Sequence, residues 1–512
     1  MSKYWFFSQI MIQFYRMRKE NIMTRVTKKM RRKYNIFFNI VAFISLTLGL
    51  IFAILIYAIG MIPNKYIMII WIVLGVIYLI LLALTLPRKL KIRVKSVSCV
   101  IFVIFAVLFS FGIWYVNKTY NFLDLINNKL MQKEDYYLMT IDKDITLNSL
   151  NDKEVGLYAA SNKDEVINKS KKTYEFTIKE YSDIVSMFED LSDKKIAAVL
   201  INDSAKSLLS SDLSYMNLKL NEISSIQVPV KDSDTLKVVD VTNTPFNVYI
   251  AGGDAYGSIN KVANTDVNMV VSVDSVNKKL LLTSIPRDYY VNLPTKGEKA
   301  YDKLTHAGYY GIDSSIKAVE KLLDIDINYY VKVNFSTIKD VIDAIGGVDV
   351  YSDYAFTEDS SMKHFHYVKG WNHLNGERAL AFARERHAFT DGDVQRVKNQ
   401  QKVLTAIINK VTKSTTLIIN YGKILDSVSK SISMNMDTKS ISRLVKLQLN
   451  DMSPWTIESQ NLVGSDLYTK GTWTFPNLKL YVMKQNDESV KASQNKLKSF
   501  MGEEVVSNEA VS

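Results

Sequence analysis

The sequence predicts an α/β protein: three N-terminal transmembrane helices, a small α/β accessory domain, then an α/β/α sandwich around a central mixed sheet. Three observations carry this. Three long stretches near the N-terminus hold no charged side chain. Beyond them, short β-branched runs alternate with amphipathic ones, and from Phe246 the apolar runs become nearly continuous and end in glycine, proline or charge.

The uncharged stretches, 34–60, 66–86 and 97–116, each reach the roughly 20 residues a helix needs to cross about 30 Å of hydrocarbon. Two further spans follow the first at once, which argues against a cleaved signal peptide. Residues 1–33 carry ten Lys and Arg against Glu20 alone, the 87–96 loop adds five, and the turn between the first two spans has only Lys65. The positive-inside rule then predicts a multi-pass cell-membrane protein with a cytoplasmic N-terminus and everything after about residue 117 outside.

Of the 64 basic and 52 acidic residues, 16 and one precede residue 118, leaving 48 against 51. The net charge of +12 is therefore a juxtamembrane property, and a nucleic-acid partner is not expected. The single cysteine, Cys99, lies in the third span, so the outer part folds without disulfides or thiolate metal sites.

The expected divisions are a basic N-terminus (1–33), three membrane helices (34–117), an accessory domain (118–240), a catalytic domain (246–455), and a C-terminal extension with a polar tail (456–512). The accessory domain alternates strand-like KKIAAVLIND with amphipathic IKEYSDIVSMFEDL. In the catalytic domain FNVYIAGGD, VNMVVSVDS, KKLLLTSIPRD and YYVKVNF read as strands, whereas SIKAVEKLLD, STIKDVIDAI and QKVLTAIINKV read as helices.

In such sheets ligands collect at strand ends. Pro286 ends one strand by removing a ladder donor, leaving Arg287 and Asp288 beyond it. Asp254 follows two glycines at another strand end, and Asp266 precedes the next strand. Carboxylates beside a guanidinium suit a hard cation and a phosphate, although Asp, Gly and Arg are also ordinary surface-loop residues. The stretch ARERHAFTDGDVQR sets Arg384 and Arg386 at one helix end and Arg396, with Gln400 one turn on, near the start of the next. Cations at a helix C-terminus are favoured by the dipole alone, yet six charges in that stretch exceed what solubility needs. His306 and His387 lack a partner at metal-ligand spacing, so a hydrogen-bonding or substrate-facing role, or plain surface placement, is expected of them. No GxSxG, HExxH or P-loop is present.

The strings VYIAGGDAYGSINKVANTDVNMVV, KLLLTSIPRDYYV, KLTHAGYYG, YYVKVNFSTIKDVIDAIGGVDV, LNGERALAFARERH and DGDVQRVKNQQKVL, in that order over about 246–410, resemble the LytR-CpsA-Psr family of membrane-anchored cell-wall enzymes of Gram-positive bacteria. Three spans and a preceding small domain resemble its CpsA-like branch, associated with capsule or related polysaccharide. The resemblance implies a Mg²⁺-dependent phosphotransferase that moves a glycopolymer from an undecaprenyl-pyrophosphate carrier to peptidoglycan. By motif, Asp254 and Asp266 would hold Mg²⁺, and Arg287, Arg384, Arg386 and Arg396 would clamp the pyrophosphate. Asp288, Lys303 and Gln400 would be supporting or proton-handling groups.

Two positions depart from the family pattern, Asn264 and Asn399, where arginine is usual. Lost guanidinium groups should weaken the clamp. A polyprenyl-pyrophosphate phosphatase and a non-catalytic carrier-binding or regulatory membrane protein are the alternatives.

Overall fold

The computed structural model describes residues 2–87, 90–127, 133–158, 163–229, 237–253, 265–359, 361–413 and 432–503. The chain forms two compact units, Met1–Tyr120 with Val445–Asn450, and Asn121–Leu444 with Asp451–Ser512.

In the first unit, α1 (Ser2–Ile59), α2 (Asn64–Thr85) and α3 (Ile92–Asn127) are the three apolar helices, each long enough to cross a membrane. Their mutual contact is aromatic: Tyr78 lies 5.4 Å from Phe102 and 5.5 Å from Phe105, and its hydroxyl meets Ser45 Oγ at 2.5 Å.

The second unit begins with a five-stranded sheet made by β1 (Lys133–Thr140), β2 (Glu154–Leu157), β3 (Thr177–Glu180), β4 (Ala198–Asn202) and β5 (Asn221–Pro229), ordered β3-β2-β4-β1-β5. Helices α4 (Lys163–Thr173), α5 (Ile184–Ser192) and α6 (Asp203–Ser210) intervene. Each helix start is local chemistry where a cap is present: Asp183 accepts from Val185 N and Ser186 N, and Asn202 accepts from Ala205 N.

Next come β6 (Phe246–Gly253), β7 (Val267–Asp274), β8 (Lys279–Ile285), the short strands β9 (Tyr290–Asn292) and β10 (Tyr301–Lys303), and helices α7 (Leu304–Ala307) and α8 (Ile312–Leu323). They are followed by β11 (Tyr329–Asn334), α9 (Phe335–Ala344), β12 (Val348–Ser352), β13 (Phe356–Thr357), β14 (His366–Tyr367), β15 (Gly370–Leu374), α10 (Gly376–Arg384) and α11 (Gly392–Lys413). After the undescribed 414–431 come β16 (Ile432–Met434), β17 (Thr456–Asn461), β18 (Gly464–Thr469) and β19 (Leu480–Gln485).

The central sheet runs β16-β11-β6-β7-β8-β17. It is mixed: β6 and β11 are parallel, as are β8 and β17, while β7 opposes both β6 and β8. Alternation along β6 sends Tyr249 and Ala251 to one face, where Val319 and Leu323 of α8 pack together with Leu497. Phe246 and Val248 go to the other, against Leu404 and Ile408 of α11. Both faces are thus covered, as the continuous apolar runs predict.

Two expectations about the C-terminal part are corrected. Residues 456–461 are no extension but the edge strand β17, in register with β8 through Asn461↔Ser284. Its residues TIESQN offer almost no apolar periodicity, and none of the six is fully buried. The polar tail contains a helix, Asp487–Met501, capped by Asn486 accepting from Ser489 N and by Gly502 at φ 79°. Leu497 on it is fully buried.

Candidate active site

The site is built by strand direction. Because β7 runs against its neighbours, its start lies where β6 and β8 end: Gly252 pairs with Val267, and Asn268 with Ile285. Asp266, just before β7, therefore meets Arg287, just after β8, and Nη1 of Arg287 lies 2.5 Å from Asp266 Oδ1. Parallel β11 brings Asn334 opposite Gly253, so its end joins the same rim. A Cβ at Gly252 would come within 2.8 Å of Val267 Cβ. That glycine serves close strand pairing.

The Arg287 loop is fixed on three sides. Thr305 N donates to Arg287 O at 2.8 Å, Tyr289 N to Pro286 O at 3.1 Å, and Met483 N to Asp288 O at 2.7 Å. Burial disfavours the Arg287 charge, but Asp266 and Asp288 outweigh it and raise its pKa. Asp288 also takes Lys303, whose Nζ is 3.4 Å from Oδ1.

The second group comes from α10 and α11. Asn375 caps α10 by accepting from Arg378 N, and the helix ends at Arg384. The turn beyond is held by a side chain pointing inward: Glu385, fully buried, accepts from Ala388 N at 2.9 Å and Asp359 N at 2.6 Å. One of the charges in the arginine-rich stretch is therefore structural. Arg386 is exposed and donates from Nε to His387 Nε2 at 3.3 Å. Gly392 opens α11 so close to that loop that a Cβ there would sit 2.5 Å from Arg386 O. Arg396 pairs with Asp393 at 3.2 Å. Burial lowers the Arg396 pKa, and among the charges acting on it are Asp393, Arg287, Asp266 and Arg386. Arg287, Arg386, Arg396 and Asp266 thus share one electrostatic neighbourhood. Arg384 stands at the β11 end of the rim, its guanidinium carbon 4.3 Å from the Phe335 ring centroid. Gln400 is half-buried on α11. Asp254 and Asn264 lie outside the described residues.

Asn399 is not a vacated clamp position. Buried, its Nδ2 donates to Phe382 O at 3.2 Å and its Oδ1 accepts from Gln395 at 3.0 Å, tying α11 to α10. Its neighbour Gln401 is likewise structural, donating to Ser284, Gln460 and Asn461.

His306, for which a surface position was one expectation, is fully buried and hydrogen-bonded. Nδ1 donates to Asp302 Oδ1 at 2.6 Å, and Nε2 lies 3.5 Å from Asp212 Oδ2. Burial disfavours the imidazolium, but Asp302 and Asp212 outweigh that and push its pKa up to about 9. Burial likewise works against the Asp212 carboxylate, and His306 with Lys303 overcomes it, holding its pKa well below the usual range. The spacing Asp302-x-x-x-His306 was a signal available in the sequence; Asp212, in a polar turn ninety residues upstream, offered none.

A mixed sheet covered on both faces, with Arg287 paired to Asp266 and Asp288 at its strand-end rim, defines an α/β sandwich. The chain matches the model described as LytR_cpsA_psr family over residues 213–496, and it belongs to that family. It is 35% identical over 220 residues to polyisoprenyl-teichoic acid–peptidoglycan teichoic acid transferase TagU of Bacillus cereus (strain AH820), covering 42% of this chain and 70% of that one. With the transferase TagT of Bacillus subtilis (strain 168) it shares 33% over 301 residues, 56% of this chain and 88% of the relative. A solved structure of the family protein YwtF (TagT) with bound octaprenyl pyrophosphate lipid aligns at 29% identity and a TM-score of 0.38, over 52% of this chain and 94% of that one.

Proposed function

We propose that the protein is a membrane-anchored phosphotransferase that moves a polysaccharide or teichoic-acid-like polymer from an undecaprenyl-pyrophosphate carrier to peptidoglycan. The observation that carries this is Arg287 held between Asp266 and Asp288 at the strand-end rim, with the Arg396 charge felt by Arg287, Asp266 and Arg386. Relatives named as polyisoprenyl-teichoic acid–peptidoglycan transferases support the same chemistry. The basic N-terminal flank favours a cytoplasmic N-terminus, with the site facing the wall.

A pyrophosphate carries clustered charge, so its transfer asks mainly for cations placed where charge develops. The guanidinium groups grip phosphate oxygens in forks, and Lys303 supports them through Asp288. An acceptor hydroxyl forms a bond to the polymer-side phosphorus, and the bond from that phosphorus to the bridging oxygen breaks. The lipid-side phosphate leaves with the electron pair and takes up the hydroxyl proton.

Asp266 offers carboxylate oxygens of the hardness Mg²⁺ prefers, and Asp254 is its expected partner. Mg²⁺ is commonly held by one or two carboxylates plus substrate phosphate oxygens. When bound, Mg²⁺ would neutralise phosphate charge.

The test is to incubate the full chain in lipid discs with a lipid-pyrophosphate-linked oligosaccharide, Mg²⁺ and peptidoglycan fragments. Sugar transfer abolished by Arg287→Ala is expected. Phosphate release without transfer would make the protein a phosphatase, and binding without turnover a carrier-binding protein.

A further inference from the structure

We infer that Asp212, supplied by the N-terminal five-stranded sheet domain, is a positioning residue of the active site: it holds Lys303 in place beside Asp288 and Arg287. This rests on the phosphotransferase reading above.

Asp212 lies in the turn after α6, one position before the family match begins. Its two oxygens are divided. Oδ1 is 3.3 Å from Lys303 Nζ, while Oδ2 is 3.5 Å from His306 Nε2 and accepts from Ser211 Oγ at 3.2 Å. His306 is anchored in turn by Asp302, which is fully buried and also accepts from Lys303 N and Thr474 N. Signs therefore alternate from the interior to the rim through Asp302, His306, Asp212, Lys303, Asp288 and Arg287.

Two features make this a device for placement. Lys303 has a side chain only 9% exposed, and among the described residues its ion pairs are Asp212 and Asp288. A buried ammonium on a flexible stem takes its position from its carboxylates. Asp212 is itself held by packing, since Leu213 beside it is fully buried in a cluster that joins Phe188 of α5 and Leu208 of α6 to Tyr309 and Phe475. The N-terminal sheet domain thereby reaches the site through one carboxylate.

The test is a double-mutant cycle on the full chain with the lipid-linked oligosaccharide. Asp212→Asn is expected to lower kcat about tenfold, in keeping with the cost of a misplaced catalytic group. KM should stay level or fall, because removing a carboxylate does not weaken attraction for an anion. In a Lys303→Met background the same change should cost less than about twofold. A kcat cost below about twofold in the wild-type background overturns the inference. So does a cost above that level carried into Lys303→Met, since a general loss of folded protein would appear in both. If Asp212→Asn does not fold, Asp212→Glu replaces it in the cycle. A wild-type chain without transfer activity would instead sink the functional reading and this inference with it, whereas an active wild type matched by Asp212→Asn sinks the inference alone.

Discussion

Arg287 and Asp266 are separated by a complete β-hairpin, yet their charged groups meet at 2.5 Å. The hairpin itself is the cause: β8 retraces β7 in register, so the residue after one strand returns to the residue before the other. Neither ion could stand there alone without a large desolvation cost.

Replacing Arg287 by lysine keeps the charge and removes the fork. Transfer should fall by about 10²-fold, the order associated with loss of one transition-state donor, while Arg287→Ala should fall further. Initial rates with the lipid-linked oligosaccharide decide it, with circular dichroism confirming the fold.

Asn399 should behave as a fastener. Asn399→Ala leaves Phe382 O and Gln395 without their partner, a loss of about 1–3 kcal/mol in a buried place. Asn399→Arg should lower the melting midpoint also, and not raise activity, because the position is buried. An active and stable arginine variant would contradict the placement.

Gly392→Ala tests the close approach of α11 to the arginine turn. A methyl 2.5 Å from Arg386 O has to displace the backbone that carries Arg386. Activity should drop about tenfold on the scale of ångström-level misplacement, with little change in melting midpoint.

His306 gives a pH signature of stability. Its folded pKa is raised, to about 9 from 6.5, so its contribution is fully present below pH 6.5 and is lost as pH rises through about 9. Urea midpoints should decline across that window in the wild type. His306→Gln should be less stable at about pH 6 and show a flatter decline.

Chelation addresses the cation. Removing divalent ions from the full chain should abolish transfer, and Mg²⁺ should restore it. Asp266→Asn should raise the Mg²⁺ concentration needed for half-maximal activity; an unaltered requirement would exclude Asp266 as a ligand.

Much of this was legible beforehand because it is written in local pattern. Uncharged stretches of roughly 20 residues have few fates other than membrane helices, and Pro286 marks a strand end by its missing donor. The motifs around Arg287, Arg384, Arg386 and Arg396 pointed to one family, and the chain belongs to it. Asn399 misled because a motif records which residue stands at a position but not which way it faces.

By itself the sequence determined the membrane helices, the alternation of strands and helices, and the arginine-rich stretches bound for a strand-end rim, since each depends on periodicity or composition within a few turns of chain. Tertiary structure alone decided that β7 runs against its neighbours, that Glu385 and Asn399 face inward, and that Asp212 joins Lys303 across ninety residues. Such pairings are set by strand register and by the cost of burying an unmatched charge, and both exist only once distant segments have packed.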